Sequence, residues 1–374
     1  MIPSQRHLFD IPPDVAYLNC AYMSPLMHEV LAAGQAGLAR KARPWTIGGG
    51  DFFDPPEEAR ALFAGLVGGD AEGVAIVPAA SYGIATAAAN LPLKPGQRIL
   101  VAADQFPSNR HAWAALARRR GAELLAVDGP DLTEAFLAAI DERCAIVACA
   151  QCRWTDGARV DLERLAPAVR AAGAALVLDL TQSAGAMPVD LGRIDPDFAV
   201  AATYKWLLGP YSLGFLHVAA RHRDGRPLEE GWMNRAGSED FARLVRPSER
   251  YRPGARRFDM GEVANFALLP AAIAAMRRIR EWGVDAIAAT LAARNAQIAA
   301  RAAGLGLAAL PEARRAGHFL GLRLPGPARA DLARALAGEG VHVSVRGDML
   351  RVTPHLWVEA GDVDRFIAAL ARLV

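Results

Sequence analysis

Little in this sequence ties it to a membrane, a metal ion or a nucleic acid. No apolar run approaches the ~20 residues of a membrane-spanning helix. The opening segment, MIPSQRHLFDIPPD, lacks the apolar core of a secretory signal. Both absences point to a cytoplasmic protein. An excess of one charge is missing too: 42 basic and 40 acidic residues leave a formal net charge of +2. That balance offers nothing to nucleic acid or to an anionic membrane surface. Clusters such as Arg118-Arg119-Arg120 fit a solvated helix end, where cations are favoured. Cysteine is scarce, at positions 20, 144, 149 and 152. Cys149-x-x-Cys152 has the spacing of a redox pair or half a zinc site, but no second pair supplies the other ligands, and Cys149 lies in the strand-like run AIVACA. The four read as buried thiols, with no metal site implied. There is no P-loop, and the glycines at 48–50 do not follow a strand, so they carry no dinucleotide-binding signal. The string closest to a serine-hydrolase elbow, G-P-Y-S-L-G at 209–214, has one residue too many.

What is present is a regular alternation. The chain has 374 residues, 52% of them hydrophobic, enough for a large α/β domain and a smaller one. Strand-like runs end at Pro78 and cover RILVAAD, AELLAV, CAIVACA, AALVL and DFAVAAT, with helical stretches between them. Such alternation implies a mostly parallel sheet covered by helices on both faces. Residues 26–42 and 57–67 fit helices, with a loop over 44–56 between them. After about residue 266 the pattern becomes α+β: helices over 268–283 and 285–303, strand-like HFLGLRL and VHVSVR around a helix at 328–340, then strand MLRVTPH and a last helix. The expected division is an arm at 1–25, a large domain at 26–265, and a small C-terminal domain at 266–374 reached through a linker helix at 268–282.

Two apolar runs carry charge at their exits: AALVL ends in Asp179, and DFAVAAT stops just before Tyr204-Lys205. Ligands of open α/β sheets bind at the carboxyl ends of strands. Neighbouring strands of this kind would bring a carboxylate and an amine into one crevice. An amine that attacks a carbonyl needs a depressed pKa, which burial provides. A pyridinium nitrogen needs a buried carboxylate to stay protonated. Lysine plus aspartate in those roles is the arrangement that binds pyridoxal phosphate. The plainer alternative is a helix cap at Asp179 and a surface lysine.

The longer strings are more specific. D-x-x-Q-S-x-G at 179–185, P-V-D at 188–190, Y-K-W-L-x-G-P at 204–210 and G-F-L at 214–216 resemble the class V aminotransferase family. These are fold-type I pyridoxal phosphate enzymes, which include cysteine desulfurases, kynureninases and isopenicillin N epimerase-like proteins. The resemblance implies a large domain around a seven-stranded, mostly parallel sheet, with a small α+β domain after it. It makes Lys205 the Schiff-base lysine, Asp179 the partner of the ring nitrogen, and Gln182 the donor to the phenolic oxygen. Ser81, at a small-residue turn that opens an Ala-rich helix, matches a phosphate-binding hydroxyl; a helix start favours anions. Ala80 sits where many relatives place a second hydroxyl. Thr203 and Tyr204 are expected near the same phosphate.

F-P-S-N at 106–109 resembles F-P-T-D of kynureninases, making Phe106 the ring that stacks on the cofactor and Asn109 a polar neighbour of its oxygen side. A core plug is the alternative for Phe106. The string from Tyr17 to Tyr22 resembles a loop bordering the substrate, with Asn19 and Tyr22 as contacts; a short strand and turn is the other reading. Trp154 falls where relatives carry an Asn or an aromatic near the substrate, though by sequence alone it is an ordinary loop tryptophan, and Arg351 in R-V-T-P-H matches the arginine that binds the α-carboxylate. The resemblance also implies a homodimer. It puts Glu262 where relatives use a threonine to reach the partner's phosphate; a carboxylate suits that contact poorly, which leaves Asn265 or a shifted backbone. The expected substrate is a small amino acid and the expected reaction transamination, with β-elimination or epimerisation as alternatives on the same scaffold; behind them stand a kynureninase-like hydrolase, from whose pattern Asn109, Gln182 and the phosphate region depart, and a non-catalytic protein that binds pyridoxal phosphate. All cysteines lie before residue 153, which counts against persulfide chemistry.

Overall fold

The computed structural model describes residues 1–326 and 330–373. Its centre is a seven-stranded sheet. It is built from β2 (Val74–Val77), β3 (Arg98–Ala102), β4 (Glu123–Val127), β5 (Cys144–Ala150), β6 (Ala175–Asp179), β7 (Phe198–Ala202) and β8 (Gly214–Val218), and a short β1 (Ala16–Tyr17) precedes them in the chain. After them come β9 (Ala308–Ala309), β10 (Leu320–Arg323), β11 (Val341–His342), β12 (Ser344–Arg346) and β13 (Met349–Val352). The central sheet has the order β2-β8-β7-β6-β5-β3-β4, and β8 alone runs opposite to the other six strands.

Sheets of this kind are buried on both faces, which is why the strands read as continuous Ala, Val, Leu and Ile runs. The period of two sorts them. Phe198 and Val200 of β7 join one core, with Ile84 and Trp113 from helices Ala80–Asn90 and Pro107–Arg120. Ala199 and Ala201 join the other. That second core continues without a break into the C-terminal region, through Leu320, Leu350, Trp357 and Phe366. A small sheet there has the order β12-β13-β10-β9, and β11 pairs in parallel with β1. The N-terminal chain then runs along β13, where Cys20 N–H donates to the Thr353 carbonyl at 2.9 Å and Thr353 N–H to that of Leu18 at 2.8 Å.

Two expectations about elements change. The loop expected over 44–56 is helical from Gly50, and the helix Gly50–Leu66 contains Pro55 and Pro56. Both prolines lie in its second turn, where they lack the N–H groups that would bond the carbonyls of Asp51 and Phe52. Asp51 anchors that start by taking two bonds from Arg40, at 2.8 and 2.7 Å. The run VHVSVR is two strands rather than one, because Val341–His342 pairs with β1 and Ser344–Arg346 with β13. Of the helix expected over 328–340, residues 328 and 329 lie outside those described; the rest is Leu332–Gly338. No helix among the described residues is long and apolar enough to cross a membrane.

Candidate active site

β6 and β7 are parallel neighbours, with Asp179 beside Val200. The loops leaving them therefore emerge side by side. They also touch. Gly185 has φ +94°, and a Cβ there would lie 2.5 Å from the Trp206 carbonyl oxygen, so only glycine admits this approach. Gln182 is held from the Lys205 side: its Oε1 accepts from Trp206 Nε1 at 2.9 Å, and its Nε2 donates to the Ala21 carbonyl at 3.1 Å. His318 Nε2 lies 2.6 Å from the Gln182 carbonyl oxygen. His318 is fully enclosed, and burial lowers its pKa to about 4, so it is neutral and donates.

The sequence has three lysines, Lys41, Lys94 and Lys205, and only Lys205 is buried. Its Nζ sits 5.5 Å from the centre of the Phe106 ring and 5.4 Å from that of Tyr204. Burial pushes its pKa down to about 8. Asp179 opposes this shift and Arg351 adds to it. The amine is therefore available in its neutral form near physiological pH.

A cavity of about 260 Å³ lies over Lys205, bordered by Ala80, Ser81, Phe106, Asn109, Asp179, Gln182 and Tyr204. At one end is the start of helix Ala80–Asn90, whose first N–H groups have no partner within the helix. Asn109 is fully buried. Trp113 Nε1 fixes its Oδ1 at 2.9 Å, and its Nδ2 has no partner. Asp179 Oδ1 accepts from Thr181 N–H at 3.0 Å; the next helix begins only at Leu191 and is capped by Asp190, so the carboxylate is not a helix cap. An anion site, an orphaned donor, an aromatic face, a carboxylate and an amine border one space. This set fits pyridoxal phosphate, which carries a phosphate, a phenolic oxygen, a ring nitrogen and an aldehyde.

A second cavity of about 270 Å³ adjoins the first, sharing Phe106, Trp154, Gln182, Tyr204, Lys205 and Tyr211, and adding Tyr22, Arg346 and Arg351. Arg351 is 2% exposed. Its Nε donates to Ser344 Oγ at 2.8 Å and its Nη1 to the Trp154 carbonyl at 2.9 Å. No carboxylate among the described residues pairs with it. Burial, with Arg346 close by, lowers its pKa to about 9. A buried guanidinium without an acid is costly, and an incoming carboxylate would relieve that cost. The Trp154 loop is braced in turn by Asp104, whose carbonyl accepts from the indole Nε1.

Most of the expected residues thus border these two cavities. Two do not. Thr203 is fully buried, and its hydroxyl donates within its own loop to the carbonyls of Pro210 and Leu213. It closes the loop after β7 rather than reaching a phosphate. Asn19 lies behind Arg351, where its Oδ1 accepts from Ser344 Oγ at 3.0 Å; it supports the arginine instead of meeting substrate. Asn265 Oδ1 accepts from the N–H groups of Ala267 and Leu268, at the start of the next helix. Glu262 is exposed with φ +56°. Sequence reasoning missed Tyr211, Ser212 and Arg346. Tyr211 and Ser212 lie in the G-P-Y-S-L-G string, and its glycines mark a loop returning to the sheet. The spacing Arg346-Gly-Asp-x-x-Arg351 has the form of a hairpin. All four cysteines are buried.

A family model described as "Aminotransferase class-V" matches residues 26–357. Among curated proteins, the chain is 32% identical to a kynureninase of Deinococcus radiodurans, over 72% of this chain and 67% of that one. It is 26% identical to the isopenicillin N epimerase of Streptomyces clavuligerus, over 84% of each. Among solved structures, a cysteine desulfurase from Thermococcus onnurineus covers 100% of this chain and 99% of its own, with a TM-score of 0.87 at 19% identity. A C-DES mutant with glycine covalently linked to its PLP cofactor has a TM-score of 0.85 at 17% identity, covering 99% of this chain and 100% of that one. At such identities the likeness to the solved structures is one of fold.

Proposed function

The chain belongs to the aminotransferase class-V family, and we propose that it is a pyridoxal-phosphate-dependent enzyme that transaminates an amino acid. One observation carries the amino-acid reading: Arg351, buried and without an acidic partner, borders the same cavity as Lys205. In this reading Ser81 and the helix start beside Ala80 hold the phosphate, Phe106 covers one ring face, and Asn109 Nδ2 and Gln182 Nε2 donate to the phenolic oxygen. Asp179 keeps a proton on the ring nitrogen. The bound cofactor supplies an electron sink for the charge left at the α-carbon.

Arg351 takes the substrate's α-carboxylate in a two-pronged contact that fixes the α-carbon. Lys205 Nζ, neutral above about pH 8, takes the α-proton. Lys205 is the only amine bordering the two cavities, and no His or Glu borders them among the described residues. One lysine that takes a proton and returns it from the same side suits transamination; a two-base epimerisation would need Tyr22, Tyr204 or Tyr211 as its second base, and burial pushes the Tyr204 hydroxyl up to about 12. Side-chain cleavage is the second reading, favoured by the 32% identity to a kynureninase.

The test incubates the protein with pyridoxal phosphate, a panel of L-amino acids and 2-oxoglutarate. New glutamate that appears only when both partners are present supports transamination. Ammonia or a cleaved side chain released without the keto acid supports the second reading. We also infer a homodimer. Phe52, Trp232, Phe241 and Phe266 form an aromatic cluster with centroid separations of 5.4 to 6.1 Å. Trp232 is 37% exposed and Phe241 43%, a patch suited to a second copy.

A further inference from the structure

Among the described residues, Arg346 has no charged partner. It ends β12, and the chain turns through Gly347 (φ +59°) and Asp348 into β13. In the register Ser344 faces Arg351 and Arg346 faces Met349. Residues two apart share a face, as do directly paired residues. Ser344, Arg346 and Arg351 therefore lie on one face, with Arg346 the diagonal neighbour of Arg351. Both guanidinium groups approach the same indole, 5.9 and 5.8 Å from the centre of the Trp154 ring.

Among the described residues, the one hydrogen bond of Arg346 runs from Nη1 to the carbonyl of adjacent Val345, at 2.8 Å. No carboxylate pairs with it, and no acidic side chain borders the cavity it shares with Lys205 and Arg351. On its other side lies a cleft of about 540 Å³. Four carboxylates border that cleft, and each is paired with another arginine: Asp104, Asp128 and Asp156 with Arg153, and Asp348 with Arg323. Arg346 is thus an uncommitted cation beside a buried one. Like charges at such positions repel, and the fold gains no ion pair in return.

Resting on the reading of Arg351 as the α-carboxylate site, we propose that Arg346 binds a second carboxylate, on the substrate's side chain, and so selects an acidic amino acid. One ligand with two carboxylates would neutralise both arginines and span the Trp154 ring between them. The amide of the same amino acid has the same shape but cannot supply the second charge, so Arg346 distinguishes the two.

The test is calorimetric titration of the holoprotein with L-aspartate, L-glutamate, L-asparagine and L-glutamine, with the visible spectrum of each sample recorded. At least one acid is expected to bind about tenfold or more tightly than its amide, the scale of a hydrogen bond to a charged group. Arg346→Gln should abolish that preference while leaving the cofactor absorption unchanged, and Arg346→Lys should retain part of it. Equal binding of acid and amide, binding of neither, or a preference that survives Arg346→Gln overturns the proposal. If the preference and its loss occur in protein without cofactor absorption, Arg346 has its role and the cofactor reading fails. Cofactor absorption without any preference has the opposite meaning.

Discussion

At the scale of single residues, the account rests on Arg351 and Lys205. Arg351 is aimed by Ser344, which is itself held by Asn19, and by the Trp154 carbonyl. Arg351→Gln should raise the dissociation constant for amino acids about ten- to hundredfold and leave the absorption of bound cofactor unchanged, as read by spectral titration. Lys205 acts as a base only when neutral, and burial sets its pKa at about 8. The neutral fraction rises with pH, so solvent exchange of the substrate's α-proton, followed by proton NMR in deuterated buffer, should climb about tenfold per unit below pH 8 and level off above it. A flat profile between pH 6 and 10 would remove Lys205 from that role. Lys205, Asp179 and Arg351 were legible in the sequence because each stands at a strand end or in a strand within a distinctive string. Arg346 was not, since an arginine near a turn gains meaning only from the strand register that sets it beside Arg351. Asn19 and Thr203 stand in recognisable strings too, but a string does not say whether a hydroxyl or amide faces the cavity or turns back into its own loop.

At the scale of elements, what matters is how the loops after β6 and β7 cross. Gly185→Ala would drive a methyl group against the Trp206 backbone at a φ that side chains avoid. Its expected cost is about 2 kcal/mol or more, seen as a lowered thermal midpoint together with weaker cofactor binding, because Gln182 and Lys205 lie on the two loops forced apart. A substitution of similar size at Gly65, where a Cβ meets nothing within 4 Å, should do neither. The strands of the central sheet were legible because burial on both faces demands unbroken apolar runs. The start of the helix Gly50–Leu66 was hidden by its glycines and prolines, which are ordinarily signals of a loop. The break in VHVSVR was hidden for another reason: the two halves pair with strands distant in the chain, which no local pattern reveals.

At the scale of the whole molecule, the site draws on distant parts of the chain. The N-terminal segment brings Tyr22, β2 and its helix bring Ser81, the sheet brings Asp179 and Lys205, and the C-terminal hairpin brings Arg346 and Arg351. One hydrophobic core joins the large and small sheets, so these contributions hold their relative positions. The aromatic cluster around Phe52 predicts twice the 39.8 kDa chain mass in sedimentation equilibrium, and Trp232→Glu together with Phe241→Glu should shift the protein towards the single chain; an unchanged mass in that double variant would place the interface elsewhere. The central claim is that Lys205 and Arg351 serve one pyridoxal phosphate site that accepts amino acids. Its most direct test is the absorbance between 300 and 550 nm of wild-type protein and Lys205→Ala, each supplied with pyridoxal phosphate and then titrated with L-amino acids. The account predicts a visible band in the wild type that changes as amino acid is added, and its loss in Lys205→Ala. A protein that stays colourless with added pyridoxal phosphate, or a band that is the same in Lys205→Ala, would contradict it.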